Sequence, residues 1–216
     1  MSSIFDYYNN KIIPFGMGGR RRKQTMPFLA EITNKKILDI GCASGYIGAF
    51  LKKQGNYVVG IDITTKDISS AKKVLNEAYV FDIESGDLSI LGKNYDLIIM
   101  TEVIEHLFEP DLAIKRFFPL LKPHGRILIS TPNILQIYNR IKMLFGIFEY
   151  KEETVINKSH IHFFTRPTFL KLISDLNLKI IIEENVILPE TFSFILKFFP
   201  NLFSHQVIIL VEKKGK

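Results

Sequence analysis

After residue 36, the sequence alternates between short runs of consecutive apolar residues and longer segments whose apolar residues recur at helical spacing. The apolar runs are KILDI, YVVGID, AYVFD, YDLIIM and RILIST, followed late in the chain by LKIIIEEN (178–185) and HQVIILVEK (205–213). A strand that is apolar at consecutive positions is typical of a parallel sheet covered on both faces. The alternation therefore predicts an α/β fold with a doubly wound sheet and right-handed crossovers.

Five segments between these runs are predicted to be helices. They lie near 46–54, 66–76, 111–121, 134–145 and 165–176. Thr165 is a good N-cap for the last of these helices, and a proline follows soon after it. In LLKPHGRILIST, Pro123 and Gly125 are expected to end the third helix before the next strand begins.

The length and the irregular segments of the chain predict one domain with elaborations. A chain of 216 residues, 47% of them hydrophobic, can build one well-packed core. We assign residues 1–36 to an N-terminal basic arm and 37–216 to the domain, with insertions at 146–164 and 186–204. Insertions of this kind are often lids or binding loops. The second is rich in Phe, Ile and Leu, so core packing, an apolar substrate wall, a homodimer face and a membrane contact all stay open.

The charge of the chain is concentrated in the N-terminal arm. Residues 1–36 hold seven basic and two acidic residues, which is +5 of the formal net charge of +6. An enzyme acting on nucleic acid usually needs a basic face that follows the backbone. Here the basic cluster is confined to residues 20–23, so a solvated segment or a contact with an anionic substrate, phosphate or membrane surface is expected rather than nucleic-acid binding.

Cysteine content and hydropathy indicate the compartment. Cys42 is the single cysteine, which excludes an intrachain disulfide and a zinc cluster built on cysteines. The N-terminus lacks the order of a secretion signal, and no apolar run reaches the roughly 18 residues that span a bilayer. We therefore expect a cytoplasmic protein.

The first apolar run opens into a glycine turn within ILDIGCASGYIGAFL (37–51). In an open α/β sheet, ligands bind at the carboxyl ends of the strands near the switch in strand order. Gly41 and Gly45 allow a sharp turn and a close ligand. Ala43 stands where the dinucleotide motif has a glycine, and the Asp39 carboxylate would repel a diphosphate. Asp39 would instead attract an ammonium and a sulfonium, which favours S-adenosylmethionine (SAM) over NAD.

Two more acids follow the next strands. Asp62 ends the second apolar run, 23 residues after Asp39, where a carboxylate can accept hydrogen bonds from ribose hydroxyls. Asp82 ends the third run, where a carboxylate can accept from an adenine amino group. Together with the glycine turn, these acids predict an adenosyl cofactor. The alternative is that all three only cap the turns that follow them.

These motifs resemble the class I SAM-dependent methyltransferases. The resemblance covers roughly residues 36–133, from ILDIGCASG through VVGID and FDIE to YDLIIMTEVIEHLFEPDLAIKRFFPLLKPHGRILISTPN. EVIEHLFEP resembles the small-molecule branch that includes the ubiquinone and menaquinone methyltransferases. The continuation through SHIHFFTRPTFLKLI is similar to the methionine-biosynthesis protein W group and to methyltransferases of glycan gene clusters. The family implies a Rossmann-like seven-stranded sheet, mostly parallel with an antiparallel last strand.

The resemblance also implies which residues contact SAM. The methionine end would lie on the glycine turn, the ribose and adenine beside the second and third strands, and the sulfonium methyl above the loop after the fourth strand. The implied contacts are Asp39, Gly41, Cys42, Ala43 and Gly45, then Asp62 with Ile63, Asp82 with Ile83, and lastly Thr101, Glu102 and Val103.

Histidines near the implied methyl position are the candidates for acid–base chemistry. Methyl transfer from a sulfonium needs the nucleophile in line behind the methyl, and an oxygen or nitrogen acceptor also needs a base. His106 is the first candidate; its alternative is a hydrogen bond to backbone or to Glu102. His162 is the second, and with His160 it lies in the 146–164 insertion. These two histidines lack an evident third ligand, so no metal site is predicted. Asn133 is expected to face the site.

The sequence thus predicts an enzyme that methylates a small molecule with SAM. The acceptor atom is O, N or C, and both a glycan or polar metabolite and a quinone-like lipid stay open. One alternative is a SAM-binding accessory subunit of a partner enzyme, which would lack a competent acceptor site. The other is an RNA methyltransferase, which depends only on the basic cluster at 20–23.

Overall fold

A computed structural model describes residues 25–151, 154–187 and 196–214 of the protein. The basic cluster at 20–23 and the middle of the Phe-rich insertion, 188–195, lie outside these ranges, and so do the expectations that depend on them. The described strands are β1 (Lys36–Ile40), β2 (Tyr57–Asp62), β3 (Glu77–Val80), β4 (Tyr95–Thr101), β5 (Leu121–Pro132), β6 (Leu178–Ile187) and β7 (Ser204–Lys213).

The seven strands form one sheet in the order β3-β2-β1-β4-β5-β7-β6. Strands β1 to β5 pair in parallel, whereas β7 is antiparallel to both of its neighbours, β5 and β6. The predicted doubly wound sheet with an antiparallel last strand is confirmed. The strand order reverses between β1 and β4, and this switch point creates a crevice at the carboxyl ends of these strands.

Helices connect the strands at the positions that the periodicity predicts, although most are shorter. The described α-helices are α1 (Met26–Leu29), α2 (Tyr46–Lys53), α3 (Thr65–Ala71), α4 (Pro110–Arg116), α5 (Ile137–Leu144), α6 (Arg166–Asp175) and α7 (Pro200–Phe203). Short 3-10 turns lie at Leu88–Leu91, Ile104–His106 and Phe118–Leu120. Thr165 caps α6 as predicted, and its side chain accepts from the backbone N–H of Thr168. None of the helices in the described ranges is long and apolar enough to span a bilayer.

The central strands of the sheet are buried on both faces, which explains their consecutive apolar residues. In β1, Ile37 belongs to the apolar core on one face, while Leu38 and Ile40 belong to the core on the other. The same alternation holds in β4, where Ile98 and Ile99 face opposite cores. Burying large aliphatic side chains contributes about 1.5–3 kcal/mol each, so the two-sided core fixes the register of the sheet.

The third predicted helix is wrong at its C-terminal end. Helix α4 ends at Arg116, and after a 3-10 turn β5 already begins at Leu121. Pro123 and Gly125 therefore lie inside β5 and end no helix. The pairing of β5 with β4 passes from Leu121 directly to Arg126, so the intervening residues occupy an irregularity where proline's missing N–H removes no ladder bond.

Helix α5 begins three residues later than predicted because tertiary contacts hold the preceding backbone. The N–H of Ile134 donates to the carbonyl of Phe164 at 2.9 Å, and the N–H of Leu135 donates to Asn133 Oδ1 at 3.1 Å. Residues 154–164, called the lid segment below, thereby lie against the end of β5. Ile134, Val155 and Ile156 form a small buried apolar cluster there.

Candidate functional site

The glycine turn between β1 and α2 winds through three left-handed residues: Gly41 (φ 68°), Ala43 (φ 46°) and Gly45 (φ 84°). A Cβ on Gly41 would lie 2.5 Å from Val103 Cγ2, so the turn touches the loop that follows β4. Cys42, buried between Gly41 and Ala43 in the turn, donates its backbone N–H to the carbonyl of Ile61 in β2 at 3.0 Å. The loops after β1, β2 and β4 therefore converge at the switch point.

Asp62 joins two of these loops through its carboxylate. Its Oδ2 accepts the backbone N–H of Ala43 at 2.9 Å, and its Oδ1 accepts the backbone N–H and the hydroxyl of Thr64 at 2.9 and 2.8 Å. Asp62 is half-buried at the end of β2. Because a carboxylate offers about four lone-pair sites, Asp62 can hold both loops and still accept from a ligand hydroxyl.

Asp39 lies beneath the glycine turn, with only 2% of its surface exposed. A Cβ on Gly48, in the first turn of α2, would lie 3.4 Å from Asp39 Oδ2. The start of a helix favours a nearby negative charge because its backbone N–H groups point outward. Because Gly48 has no side chain, α2 can approach the Asp39 carboxylate closely.

Asp82 caps the turn that follows β3. Its Oδ2 accepts the hydroxyl of Ser85 at 2.6 Å, and its Oδ1 accepts the N–H of Glu84 at 2.8 Å. Burial alone would raise the pKa of the Asp82 carboxyl, but these hydrogen bonds and the charge of Arg116 outweigh it and lower the pKa. The side chain is exposed, two residues beyond the strand, with the half-buried Ile83 next to it. The turn-capping alternative thus describes part of what Asp82 does.

The loop after β4 carries a polar network that the sequence did not reveal. Thr101 and Val103 are buried, and Glu102 between them has a left-handed backbone, with φ at 56°. Gln206 Nε2, in β7, donates to Glu102 Oε1 and to Ser130 Oγ, each at 2.9 Å. Strands β5 and β7 therefore orient the Glu102 carboxylate.

His106 lies one turn beyond Val103. The backbone N–H of His106 donates to the Val103 carbonyl at 3.0 Å, and Nδ1 of its ring is 2.8 Å from the Ser159 carbonyl oxygen. Since a carbonyl can only accept, Nδ1 carries the proton and Nε2 bears the lone pair when the ring is neutral. The ring thus has a fixed tautomer and a basic nitrogen directed away from the lid segment's backbone.

His160 lies beside His106, although the two come from distant parts of the chain. Its ring packs edge-on against His106 with centroids 4.7 Å apart, and it is 9% exposed. The fully buried Glu105 completes this group, and one potential ligand atom from each of the three side chains lies within 4.8 Å of the others.

His162 fixes the lid segment over the end of β4. Its Nε2 lies 3.1 Å from the carbonyl oxygen of Phe108, and the N–H groups of Ile161 and His162 both donate to the Glu105 carbonyl, at 2.8 and 3.0 Å. Asn133, expected to face the site, is instead 1% exposed and donates to the Ser204 carbonyl at 2.9 Å. It joins β5 to β7.

Three functional candidates were missed from the sequence: Glu105, Ser130 and Gln206. Glu105 is fully buried, which nothing in its local sequence indicates. Ser130 and Gln206 are polar residues within the otherwise apolar runs of β5 and β7, and both are at most 1% exposed. A polar residue at a buried strand position is the feature that could have identified the last two.

A family model described as a methyltransferase domain matches residues 18–183 of the chain. The ubiquinone biosynthesis O-methyltransferase of Coxiella burnetii is 32% identical over 106 residues, which are 47% of this chain and 45% of that protein. The protein of that name from Paracidovorax citrulli is 29% identical over 111 residues, 49% of this chain and 47% of the relative. The chain thus spans less than half the length of these curated relatives.

Solved structures share the fold across nearly the whole chain. An S-adenosylmethionine-dependent methyltransferase from Mesorhizobium loti has a TM-score of 0.65 at 15% identity, covering 92% of this chain and all of its own. The magnesium protoporphyrin IX methyltransferase of Synechocystis PCC 6803, solved with S-adenosylhomocysteine (SAH), has a TM-score of 0.65 at 16% identity, covering 98% of each chain. At such identities the likeness concerns the fold.

Proposed function

The chain belongs to the methyltransferase domain family, and on that premise we propose that it transfers a methyl group from SAM to a hydroxyl of a small molecule. The observation that carries this proposal is the convergence of the β1, β2 and β4 loops, with Gly41 against Val103 and Asp62 on the N–H of Ala43. A carboxylate and a close glycine turn at one switch point suit an adenosyl group with a cationic methionine end.

The cofactor contacts that we propose are those implied by the sequence resemblance. The buried Asp39 and the turn at Gly41, Cys42, Ala43 and Gly45 would hold the methionine end. Asp62 would accept from the ribose, with Ile63 on the adenine face. Asp82 and Ile83 would lie at the adenine edge. Thr101, Glu102 and Val103 would lie beneath the sulfonium, where the Glu102 carboxylate, oriented by Gln206, offers charge to a cation.

The transfer itself needs a deprotonated acceptor oxygen in line with the methyl–sulfur bond. Bound SAM would supply an electrophilic methyl group: the acceptor oxygen would bond to the methyl carbon as the carbon–sulfur bond breaks, with the electron pair of that bond left on sulfur to give SAH. His106 would take the hydroxyl proton at Nε2, because Nδ1–H is bound to the Ser159 carbonyl. His162, bound to the Phe108 carbonyl, would contribute by holding the lid segment in place and excluding water.

An apolar acceptor is favoured by the surface near the lid segment. Large apolar side chains are exposed along α5 and the residues after it, among them Leu144 at 81% and Phe145 at 74%. Arg140 and Lys142 lie on the same helix. Exposed apolar residues beside basic ones suit contact with an anionic membrane surface. We infer that a quinone-like lipid acceptor is collected from such a surface, in keeping with the names of the curated relatives.

The remaining alternatives are not favoured by the similar proteins, which are named as small-molecule or SAM-dependent methyltransferases. The accessory-subunit alternative expects a site without acid–base groups, yet His106 and Glu105 lie directly after β4. The buried thiol of Cys42 suits a reducing compartment such as the cytoplasm.

Incubation with methyl-labelled SAM and fractionated cell extract tests the proposed function. We expect label in the low-molecular-mass fraction, mainly in its lipid-extractable part, with transfer accelerated by anionic phospholipid vesicles. Label in RNA would contradict the small-molecule acceptor. Tight SAM binding with no label in any fraction would favour the accessory subunit. Label found only in water-soluble products would contradict a lipid acceptor but not methyl transfer to a small molecule.

A further inference from the structure

Glu105, His106 and His160 come from two separate parts of the chain and meet at the carboxyl ends of β4 and β5. Each contributes one potential ligand atom, and these atoms lie within 4.8 Å of one another. Thr131 Oγ1, at the end of β5, donates to Glu105 Oε2 at 3.4 Å. Two imidazoles and a carboxylate thus share one small region next to the loop that follows β4.

The two imidazoles are oriented by the main chain of the lid segment. Nδ1 of His106 lies 2.8 Å from the Ser159 carbonyl oxygen, and Nδ1 of His160 lies 2.8 Å from the Val155 carbonyl oxygen. Both carbonyls must accept, so both rings carry their proton on Nδ1 and, when neutral, their lone pair on Nε2. Metal-binding histidines are typically held by this same arrangement, in which the other ring nitrogen donates to a backbone carbonyl or carboxylate.

We propose that Glu105, His106 and His160 form a site for a divalent transition-metal cation. Two imidazole nitrogens and one carboxylate oxygen suit Zn²⁺, Fe²⁺, Co²⁺ or Mn²⁺, whereas Mg²⁺ and Ca²⁺ prefer oxygen ligands. Burial of Glu105 favours this assignment, because buried carboxylates in proteins are paired or bind metals. Ligands bound to a tetrahedral ion at about 2.0–2.2 Å lie roughly 3.3–3.6 Å apart, so the group contracts by up to about 1.5 Å on binding.

The role of this metal rests on the proposed function. The cation would bind the acceptor hydroxyl and lower its pKa, so that the O–H bond breaks and the proton passes to solvent water. The metal-bound oxygen would then form the bond to the methyl carbon as the carbon–sulfur bond breaks. Nε2 of His106 would then bind the metal, which replaces the base role given to His106 above, and solvent water would take the proton of the metal-bound hydroxyl. Glu102 is three residues before Glu105, which places the cation next to the expected methyl position.

The competing arrangement is an ion pair between the Glu105 carboxylate and a protonated imidazole. Such a pair is common in folded proteins and needs no metal. The two arrangements can be distinguished once a chelator has removed any bound metal from the wild-type protein. Only a metal site then takes up one Co²⁺ per chain and shows the visible absorption of a nitrogen-ligated ion.

Titration of the chelator-treated full chain with Co²⁺, without SAM or acceptor, tests the site. We expect one Co²⁺ per chain, displaced by Zn²⁺ and unaffected by millimolar Mg²⁺. His160→Ala and Glu105→Gln should each weaken Co²⁺ binding more than about 100-fold, since even changes to the groups that orient metal ligands cost 10–100-fold. His124→Ala is the matched control, because His124 is 89% exposed and pairs with Glu212 at the opposite end of β5. It should leave Co²⁺ binding unchanged.

Wild-type protein that binds neither Co²⁺ nor Zn²⁺ overturns the site without reference to any variant. SAH affinity shows whether a variant is folded, so a variant that keeps both SAH and Co²⁺ affinity also overturns it. Methyl transfer that persists after chelation, from protein that binds one Co²⁺, overturns the catalytic role of the metal. Co²⁺ binding without any methyl transfer contradicts the proposed function and leaves the metal site standing.

Discussion

Replacing His106 with alanine is expected to lower kcat for methyl transfer by about 10²- to 10⁴-fold, the usual contribution of a positioned general base. His106 follows the loop beneath the expected methyl position, and its tautomer is fixed by the Ser159 carbonyl. Alanine removes the basic nitrogen and also the third ligand position of the proposed metal site. Either loss leaves the acceptor hydroxyl protonated. The measurement is the initial rate of label transfer at saturating SAM.

A control variant and the SAH affinity separate this loss of rate from a general effect on the fold. His124→Ala removes an exposed histidine at the far end of β5 and should retain the wild-type rate. SAH should bind His106→Ala with nearly unchanged affinity, since the cofactor contacts do not include this side chain. An unchanged kcat in His106→Ala would remove His106 from the chemistry.

Replacing Asp62 with alanine is expected to weaken SAH binding by about 1–3 kcal/mol, roughly 5- to 150-fold. Two losses combine. The ribose hydroxyls lose their acceptor, and the N–H of Ala43 and the N–H and hydroxyl of Thr64 lose the carboxylate that joins the two loops. Isothermal titration with SAH measures the change directly.

Two further variants sharpen the Asp62 experiment. Asp62→Asn keeps the size of the side chain but has a single acceptor oxygen, so it should fall between the wild type and Asp62→Ala. Asp111→Ala removes an exposed aspartate that pairs with Lys115 on helix α4, and it should bind SAH normally. An SAH affinity that is unchanged in Asp62→Ala would mean that Asp62, at the end of β2, does not contact the ribose of the cofactor.

The sheet could be predicted from the sequence because burial on both faces leaves a local pattern. Each of the seven apolar runs corresponds to a strand, and Ile98 and Ile99 illustrate how neighbouring residues serve opposite cores. Helix ends were less predictable because distant partners set them. The backbone of Ile134 is held by Phe164, and Pro123 is accommodated where the pairing of β5 with β4 is interrupted.

Local motifs locate part of the candidate site. The glycine turn and Asp62 are short motifs, and the structure brings them to the loop after β4; their contacts with a cofactor stay a prediction. The group of Glu105, His106 and His160 was not predictable, since it depends on the lid segment folding back over the end of β4. His160 is close in sequence to His162, but in the structure its ring packs against His106.

The proposed activity requires that the glycine turn bind SAM and not a dinucleotide, and thermal unfolding of the purified protein with SAH or NAD distinguishes the two. A ligand at 100 times its Kd stabilises a protein by about 2.7 kcal/mol, which for a chain of this size raises Tm by roughly 5–10 °C. We predict that rise with SAH and no change with NAD at equal concentration. Stabilisation by NAD and not by SAH would contradict the assignment of the glycine turn, and with it the methyltransferase activity proposed for this chain.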